Sequence, residues 1–405
     1  MISVDEALSR VLRGATPLPA ETVALSDAHW RVLAENITAT EPLPHFDNSA
    51  MDGFAVRSDD TRGASSQAPI ALKVAGAAPV GRPAAMAIKP GECVRVFTGG
   101  PLPADADAVL IQELAHTTNN GTITLTRPVD RGANIRRAGE DLAAGAVALT
   151  RGALLTAPRI GLLAALGRTE VAVTRRPKAA LLTTGSEVVE PGVPLPPGDI
   201  RNSNRFTLAG LLRDAGAEVS KIKHLPDDRT TTERALRDAL AYDVIVTTGG
   251  VSVGPADWVR PAIEALGTVE FSQVNIRPGR PVTFGRAGAT RLFGLPGNPV
   301  SALVCFVVFV RPYLHALLGL PTEQPLLHAT LTAAIPHTPG RREYVRGRLA
   351  PHGDGFAVTP SAKRGSHMLG AFADANALIV VPEDADSVAA GVVVAVIPLA
   401  PWWTP

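Results

Sequence analysis

The sequence predicts an α/β multidomain protein: an open, mostly parallel α/β sheet, preceded by a β-rich module and followed by a small terminal β-barrel or sandwich. Three observations predict it. From Pro177 to Leu320, apolar runs alternate with amphipathic segments in the order of an open α/β sheet. From Ala39 to Leu149, short β-like runs are parted by Gly and Pro, with no long helical period. From Pro325 onward, apolar and polar residues alternate between Gly and Pro turns. At 405 residues the chain exceeds the size at which one core keeps growing, so several modules are expected.

Taken in chain order, MISVDEALSR puts Asp5 and Glu6 where an export signal needs a basic flank and an apolar run, so no such signal is expected. In the β-rich module the strand-like runs are VRVFTG, AVLIQE, TITLTR and AVALT. The segment Thr150 to Gly167 has helical spacing and reads as a connector that leads through VAVTRRP into the α/β unit. There, KAALLTT (Lys178 to Thr184) is a buried-strand run, and Ser203 or Asn204 caps a helix that stops at Gly216. A strand from Glu218 to Lys223, a helix in TTERALRDALA and a strand from Asp243 to Thr248 follow. A glycine loop then opens a helix around Trp258 to Leu266, and β-like segments at Pro281 to Gly285 and Arg291 to Leu295 precede an apolar helix from Val300. The apolar run Pro299 to Val310 ends at Arg311 after about a dozen residues, short of the roughly 20 that span a bilayer, and reads as a buried helix. EYVRGRL, FAVTP, ALIVVP and VVVAVIPL supply the terminal strands.

Charge and composition exclude several classes. With 39 basic against 38 acidic side chains, the chain has no net field to attract nucleic acid or an anionic membrane, so an anionic ligand must be caught locally. Cys93 and Cys305 are the only cysteines, which supports neither a disulfide framework nor a zinc site and suits a cytoplasmic location. The nine His show no paired metal-ligand spacing and no Ser, His and Asp arrangement.

The candidate site lies on loops. TTGSE, TTGGVSVG and GLPGNP all follow strands of the α/β unit, at the carboxyl edge where ligands bind such sheets. TTGGVSVGPAD combines backbone N–H groups freed by Gly249, Gly250 and Gly254 with hydroxyls of Thr247, Thr248 and Ser252, which reads as a phosphate cradle or as a structural turn. It is not a Walker loop, because Pro255 follows Gly254 where that motif needs Lys. Glu187, Asp227, Asp228 and Asp257 converge on the same edge, where carboxylates beside phosphate would suit Mg²⁺, though each alone could be a cap. Arg277 and Arg280, on a rigid Pro-Gly turn, suit an oxyanion clamp. Pro296 and Asn298 open a second helix start, with Asn298 and Ser301 explicable as caps. In the β-rich module, Asp47, Asn48 and Asp52 of PHFDNSAMDGFAV read as turn residues or as part of a shared polar face with Thr98 and with Asp141 of RRAGEDL. Arg346, Ser366 and His367 stand in the terminal module as polar residues on a β-like background, where solvated loops are the plain account.

The strings FDNSAMDGFAV, TGGPLPADADAV, RRAGEDL, TTGSEVV, GDIRNSN, TTGGVSVGPADW, IRPGRPVTFG and GLPGNPVSA, in this order, resemble the molybdopterin molybdenumtransferase family and the matching domain of gephyrin over nearly the whole chain. TTGGVSVG and GLPGNPVSA are shared with the smaller molybdopterin adenylyltransferases; FDNSAMDGFAV and the terminal barrel single out the transferase. The resemblance implies an N-terminal helical segment (1–26), a linking domain (27–44 and 143–176), a β-rich insertion (45–142), an α/β molybdopterin-binding domain (177–324) and a C-terminal β-barrel (325–405). It implies a homodimer whose site is built where domains of both protomers meet. It assigns to that site Asp52 and Thr98 of the insertion, Asp141, Glu187, Asp227 and Asp257 of the sheet edge, and Arg346 and Ser366 of the barrel, with Asp52, Glu187 and Asp257 as Mg²⁺ ligands. Two lysines of the family fall on Gln273 and Arg277; Arg277 keeps the charge and Gln273 does not. The implied reaction places molybdate on the dithiolene of adenylylated molybdopterin, with hydrolysis of the phosphoanhydride and release of AMP. Handover from the adenylyltransferase and to proteins that deliver cofactor to molybdoenzymes would follow. The alternatives are a molybdopterin adenylyltransferase, which needs neither insertion nor barrel, and a gephyrin-like scaffold, against which the lack of a long flanking linker counts.

Overall fold

The computed structural model describes residues 1–82, 87–118, 120–251 and 257–399. Its centre is a six-stranded sheet in the order Glu218–Leu225, Lys178–Thr184, Val244–Thr248, Thr290–Leu295, Thr283–Ala287, Thr268–Phe271. The first four strands are parallel, Thr283–Ala287 runs against them, and Thr268–Phe271, antiparallel to it, runs with the first four again. Successive residues of a strand point to opposite faces, and here both faces are covered. Ala179 and Leu181 enter the core under helices Ser203–Asp214 and Pro299–Cys305, while Ala180 and Leu182 enter the core under helices Arg229–Asp238 and Val259–Leu266. Double burial is why these strands read as continuous apolar runs.

Two elements differ from the sequence expectation for local reasons. The helix at 203 is capped by Asn202, whose Oδ1 accepts the Arg205 N–H at 3.2 Å, rather than by Ser203 or Asn204. The apolar helix does not stop at Arg311: it continues through Phe306–Val310, in π geometry, and Arg311–Leu318. Arg311 is accommodated because its guanidinium reaches out of the apolar layer to the Pro398 carbonyl and to Gln324. The resulting helix of 20 residues holds an 18-residue window of mean hydropathy 1.8, long and apolar enough to cross a membrane, but 83% of that window is buried within the protein, as in a core helix.

The N-terminal helix Val4–Leu12 buries Val4, Ala7 and Val11 in the same core. Ala20–Ala24 pairs with Glu170–Thr174 and Ile37–Thr38 with Val147–Leu149. These packs, with the helix Ala157–Ala165, bury Leu33, Ile37, Leu155 and Leu163. Only that stretch of the Thr150–Gly167 segment is helical; Leu154 instead bridges to Val32. The β-rich insertion is a curled half-barrel with strand order Ala108–Ile111, Gly53–Val56, Glu92–Val96, Ile70–Ala78, Thr122–Leu125, His116–Thr117.

At the C-terminus, Arg342–His352, Gly355–Pro360, Leu327–Leu331, Val393–Pro398 and Ala377–Val381 close into a barrel, the last strand pairing back to the first. Ile276–Arg277 of the α/β unit pairs in parallel with Arg342–Glu343 of the barrel. Arg342 also donates to both carboxylate oxygens of Asp5, at 2.6 and 2.8 Å, and to Glu383 at 2.9 Å. Barrel, N-terminal helix and α/β unit are therefore held as one body.

Candidate active site

Three loops leave the carboxyl ends of adjacent strands and are wired to one another. Thr248 Oγ1 donates to the Pro296 carbonyl at 2.9 Å, and Asn204 Nδ2 donates to both Thr248 Oγ1 and the Gly297 carbonyl at 2.8 Å. On the far side, the Ser186 N–H donates to Asp227 Oδ2 at 2.9 Å and the Asp227 N–H to Ser186 Oγ at 3.1 Å. The loops enclose a cavity of about 670 Å³ whose lining includes Glu187, Asp227, Asp257, Gly249, Gly250, Pro296 and Asn298. Asp228 faces elsewhere, capping the helix at 229 through the Thr231 N–H. Asn298 occupies an N-cap position but makes no capping bond, so its amide is left to the cavity.

The glycine loop departs in part from the expected cradle. The Gly249 N–H is not freed; it donates to the Leu295 carbonyl at 3.1 Å and cinches the loop to the neighbouring strand. Ser252 and Gly254 lie outside the described residues.

A second cavity of about 370 Å³ adjoins the first and shares Asn298 and Pro281 with it. Arg277, Arg280, Arg341, Arg346 and Arg364 line it, with Ser366 and a single carboxylate, Glu343. Its floor is the Arg-Pro-Gly-Arg turn pressed onto the apolar helix: Gly279 has φ +115°, and a Cβ there would lie 2.3 Å from Cys305 Sγ. Arg346 is only 4% exposed, yet among the described residues it makes no ion pair. Its guanidinium donates to the Gly365 carbonyl at 3.2 Å and to that of Lys363, lies over the Phe372 ring, and leaves a buried Nε without a partner among the described residues. Burial, followed by the like charge of Arg364, pulls its pKa below the usual arginine value. A buried guanidinium offset only by neutral carbonyls and a ring face is an incomplete arrangement that an oxyanion completes.

Asp52 and Thr98 form their own pair in the insertion. Both the N–H and the hydroxyl of Thr98 donate to Asp52 Oδ1, at 2.7 and 2.8 Å, and hold this exposed carboxyl below the usual range. The pair lines neither cavity.

Three family models tile the chain: the "MoeA N-terminal region (domain I and II)" over residues 2–167, the "probable molybdopterin binding domain" over 180–316 and the "MoeA C-terminal region (domain IV)" over 328–399. The molybdopterin molybdenumtransferase 2 of Mycobacterium tuberculosis is 40% identical over 96% of this chain and 98% of its own length. The chain belongs to the molybdopterin molybdenumtransferase family. The Haemophilus influenzae member is 38% identical over 98% of both chains. A solved molybdopterin biosynthesis moeA protein from Pyrococcus horikoshii superposes with a TM-score of 0.85 at 31% identity, covering 98% of this chain and all of that one.

Against the residues that molybdenumtransferase resemblance implies, the structure makes a division. Glu187, Asp227 and Asp257 meet in the larger cavity, and Arg346 and Ser366 in the smaller. Asp141 is not on the sheet edge. It sits on the loop that returns from the insertion, where its N–H donates to the Leu43 carbonyl at 3.1 Å. Gln273 lines neither cavity, whereas Arg277 lines the arginine-rich one. Sequence reasoning missed Arg341, Arg364 and Glu343, although the arginine density of GRREYVRG was a visible signal. It also missed Asn202 and Asn204 as the residues that tie the loops together.

Proposed function

We propose that the chain inserts molybdate into the dithiolene of adenylylated molybdopterin, with hydrolysis of the phosphoanhydride and release of AMP. Buried, carboxylate-free Arg346 beside Ser366 carries the reading: it makes the smaller cavity an oxyanion site, next to a cleft large enough for a nucleotide-bearing substrate. Arg277, Arg280 and Arg346 hold the tetrahedral oxyanion, and Asn298, common to both cavities, stands where the two substrates meet. Catalysis here is positioning plus charge compensation, since the reactants are all anions.

The donor set suits Mg²⁺ bound jointly with substrate. Among the described residues no three His, Cys, Asp or Glu side chains form an all-protein metal site. Mg²⁺ asks for less: one or two carboxylates, with phosphate oxygens and waters completing the octahedron. Glu187, Asp227 and Asp257 would hold it, and when bound it would offset the phosphoanhydride charge. Asp227 has one oxygen already engaged by the Ser186 N–H, which orients the other.

The protein acts as a cytoplasmic homodimer in this reading. Cys93 and Cys305 are both buried free thiols, in keeping with a reducing compartment. Asp52 and Thr98 reach the cleft of the partner protomer rather than their own. An adenylyltransferase would leave the insertion and barrel without a role. Release of AMP from adenylylated molybdopterin, measured with and without molybdate, tests the proposal: release stimulated by molybdate is expected, and AMP transfer from ATP to free molybdopterin in its place would overturn it.

A further inference from the structure

The single carboxylate in the arginine-lined cavity needs an explanation, because a lone buried negative charge beside an oxyanion site opposes the ligand. Glu343 is 5% exposed and is divided between two tasks. Its Oε1 lies 3.2 Å from Arg364 Nη2 and 3.7 Å from Arg277 Nε. Its Oε2 lies 2.8 Å from His337 Nδ1. A carboxylate only accepts, so the His337 proton on this contact resides on Nδ1. The His337 side chain is wholly inaccessible, and among the described residues its Nε2 has no partner, so the ring's hydrogen bond there is the one to Glu343.

Backbone pairing reinforces the arrangement. Arg277 and Glu343 are register partners in parallel strands, which sets their side chains next to each other. Arg364 is seated twice, by Glu343 and by the Pro336 carbonyl at 3.0 Å, the residue immediately before His337. Arginine side chains carry much rotamer entropy and repel one another when crowded, so an unrestrained cluster would splay into solvent.

We infer that Glu343, locked by His337, is a positioning residue that fixes Arg277 and Arg364 in place for the oxyanion substrate. His337 touches no substrate; it holds the carboxylate that holds the arginines. The inference rests on the smaller cavity being the molybdate site proposed above, and the test separates the two.

Calorimetric binding of sodium molybdate to the full-length protein and molybdate-dependent AMP release are measured on four variants. Arg280→Ala examines the cavity: undiminished molybdate binding there removes the site on which the inference rests. His337→Phe keeps a ring of similar size without the N–H. It should weaken molybdate binding and raise the KM for molybdate by roughly tenfold to a hundredfold, the range lost with a supporting hydrogen bond at metal sites. The KM for adenylylated molybdopterin and kcat at saturating molybdate should hold. His337→Asn, whose amide N–H replaces Nδ1–H, should recover most of the loss, and Glu343→Gln should reproduce it by a second route. The inference is overturned if Arg280→Ala loses binding while His337→Phe and Glu343→Gln keep the wild-type KM for molybdate. It is equally overturned if those two variants raise both KM values alike and Asn restores nothing.

Discussion

Asn204 and Thr248 are joined by a 2.8 Å hydrogen bond that couples the first helix of the α/β unit to the glycine loop of its central strand. The Thr248 hydroxyl has one proton and gives it to the Pro296 carbonyl, so towards Asn204 it can only accept. Asn204→Asp would therefore set a carboxylate against an acceptor and against the Gly297 carbonyl, which the same amide now satisfies. Losing two hydrogen bonds of ordinary strength costs about 1–3 kcal/mol. A lower urea midpoint together with reduced AMP release is expected; wild-type stability in the Asp variant would show that the loops are held some other way.

Two glycines that face each other should respond unequally. Gly249 has φ +87°, and a Cβ there would lie 2.6 Å from Thr184 Oγ1 and 2.8 Å from the Thr184 carbonyl oxygen. The hydroxyl could rotate away, but the carbonyl belongs to the sheet. Gly249→Ala should cost roughly 1–2 kcal/mol for the left-handed backbone alone, with the contact added to it. A Cβ on Gly297 meets only Gly249 Cα at 3.6 Å, an ordinary contact, so Gly297→Ala should stay within about 0.5 kcal/mol of wild type. Thermal melts of both proteins make the comparison; equal losses would mean that the loop relaxes freely.

Arg175 and Asp243 clamp the linking strand to the α/β sheet through two hydrogen bonds of 2.7 and 2.8 Å. Burial of Asp243 opposes its ionisation, but the Arg175 bonds and the Lys178 N–H outweigh that and hold its pKa below the usual aspartate value. A depressed folded-state pKa gives stability that is present above the unfolded value and lost as pH falls through the folded one. The melting-temperature gap between wild type and Asp243→Asn should thus be constant from pH 7 to about 5 and shrink below about 4. A gap that widens on acidification would contradict the ion-pair account.

Much of this was legible in the sequence, and the limits are physical. Lys178–Thr184 could be bounded to the residue because both faces of its strand are apolar. Ile70–Ala78, central to the insertion sheet, escaped notice because its Ala, Gly and Lys content hides the strand period. The sheet-edge carboxylates were found because loops after parallel strands converge by topology. His337 and Glu343 were not, because a buried pair six residues apart across a turn has no periodic signature. Asp141 was kept with the insertion by its place in the chain, and only the resemblance set it on the sheet edge, away from which the insertion's return loop lies.

Asp52 lines neither cavity of its own chain, while Asp257 lines the larger. Asp52→Asn keeps an oxygen for the Thr98 N–H and hydroxyl, so the turn survives and only the charge is removed. If that charge acts on the phosphoanhydride, AMP release should fall on the order of a hundredfold with the melting temperature nearly unmoved. Asp257→Ala should be similarly inactive and folded, since it removes a half-buried charge from the cavity lining rather than core volume. A site shared across a two-fold axis then makes a further demand. When the two inactive variants are mixed and allowed to exchange subunits, half the dimers are mixed, and in each of those one of the two sites carries both lesions while the other carries neither. Activity should rise to about a quarter of the wild-type value. Sites confined to single chains would leave every site with one lesion, so a mixture that stays as inactive as its parents, despite proven exchange, would place Asp52 outside the partner's cleft.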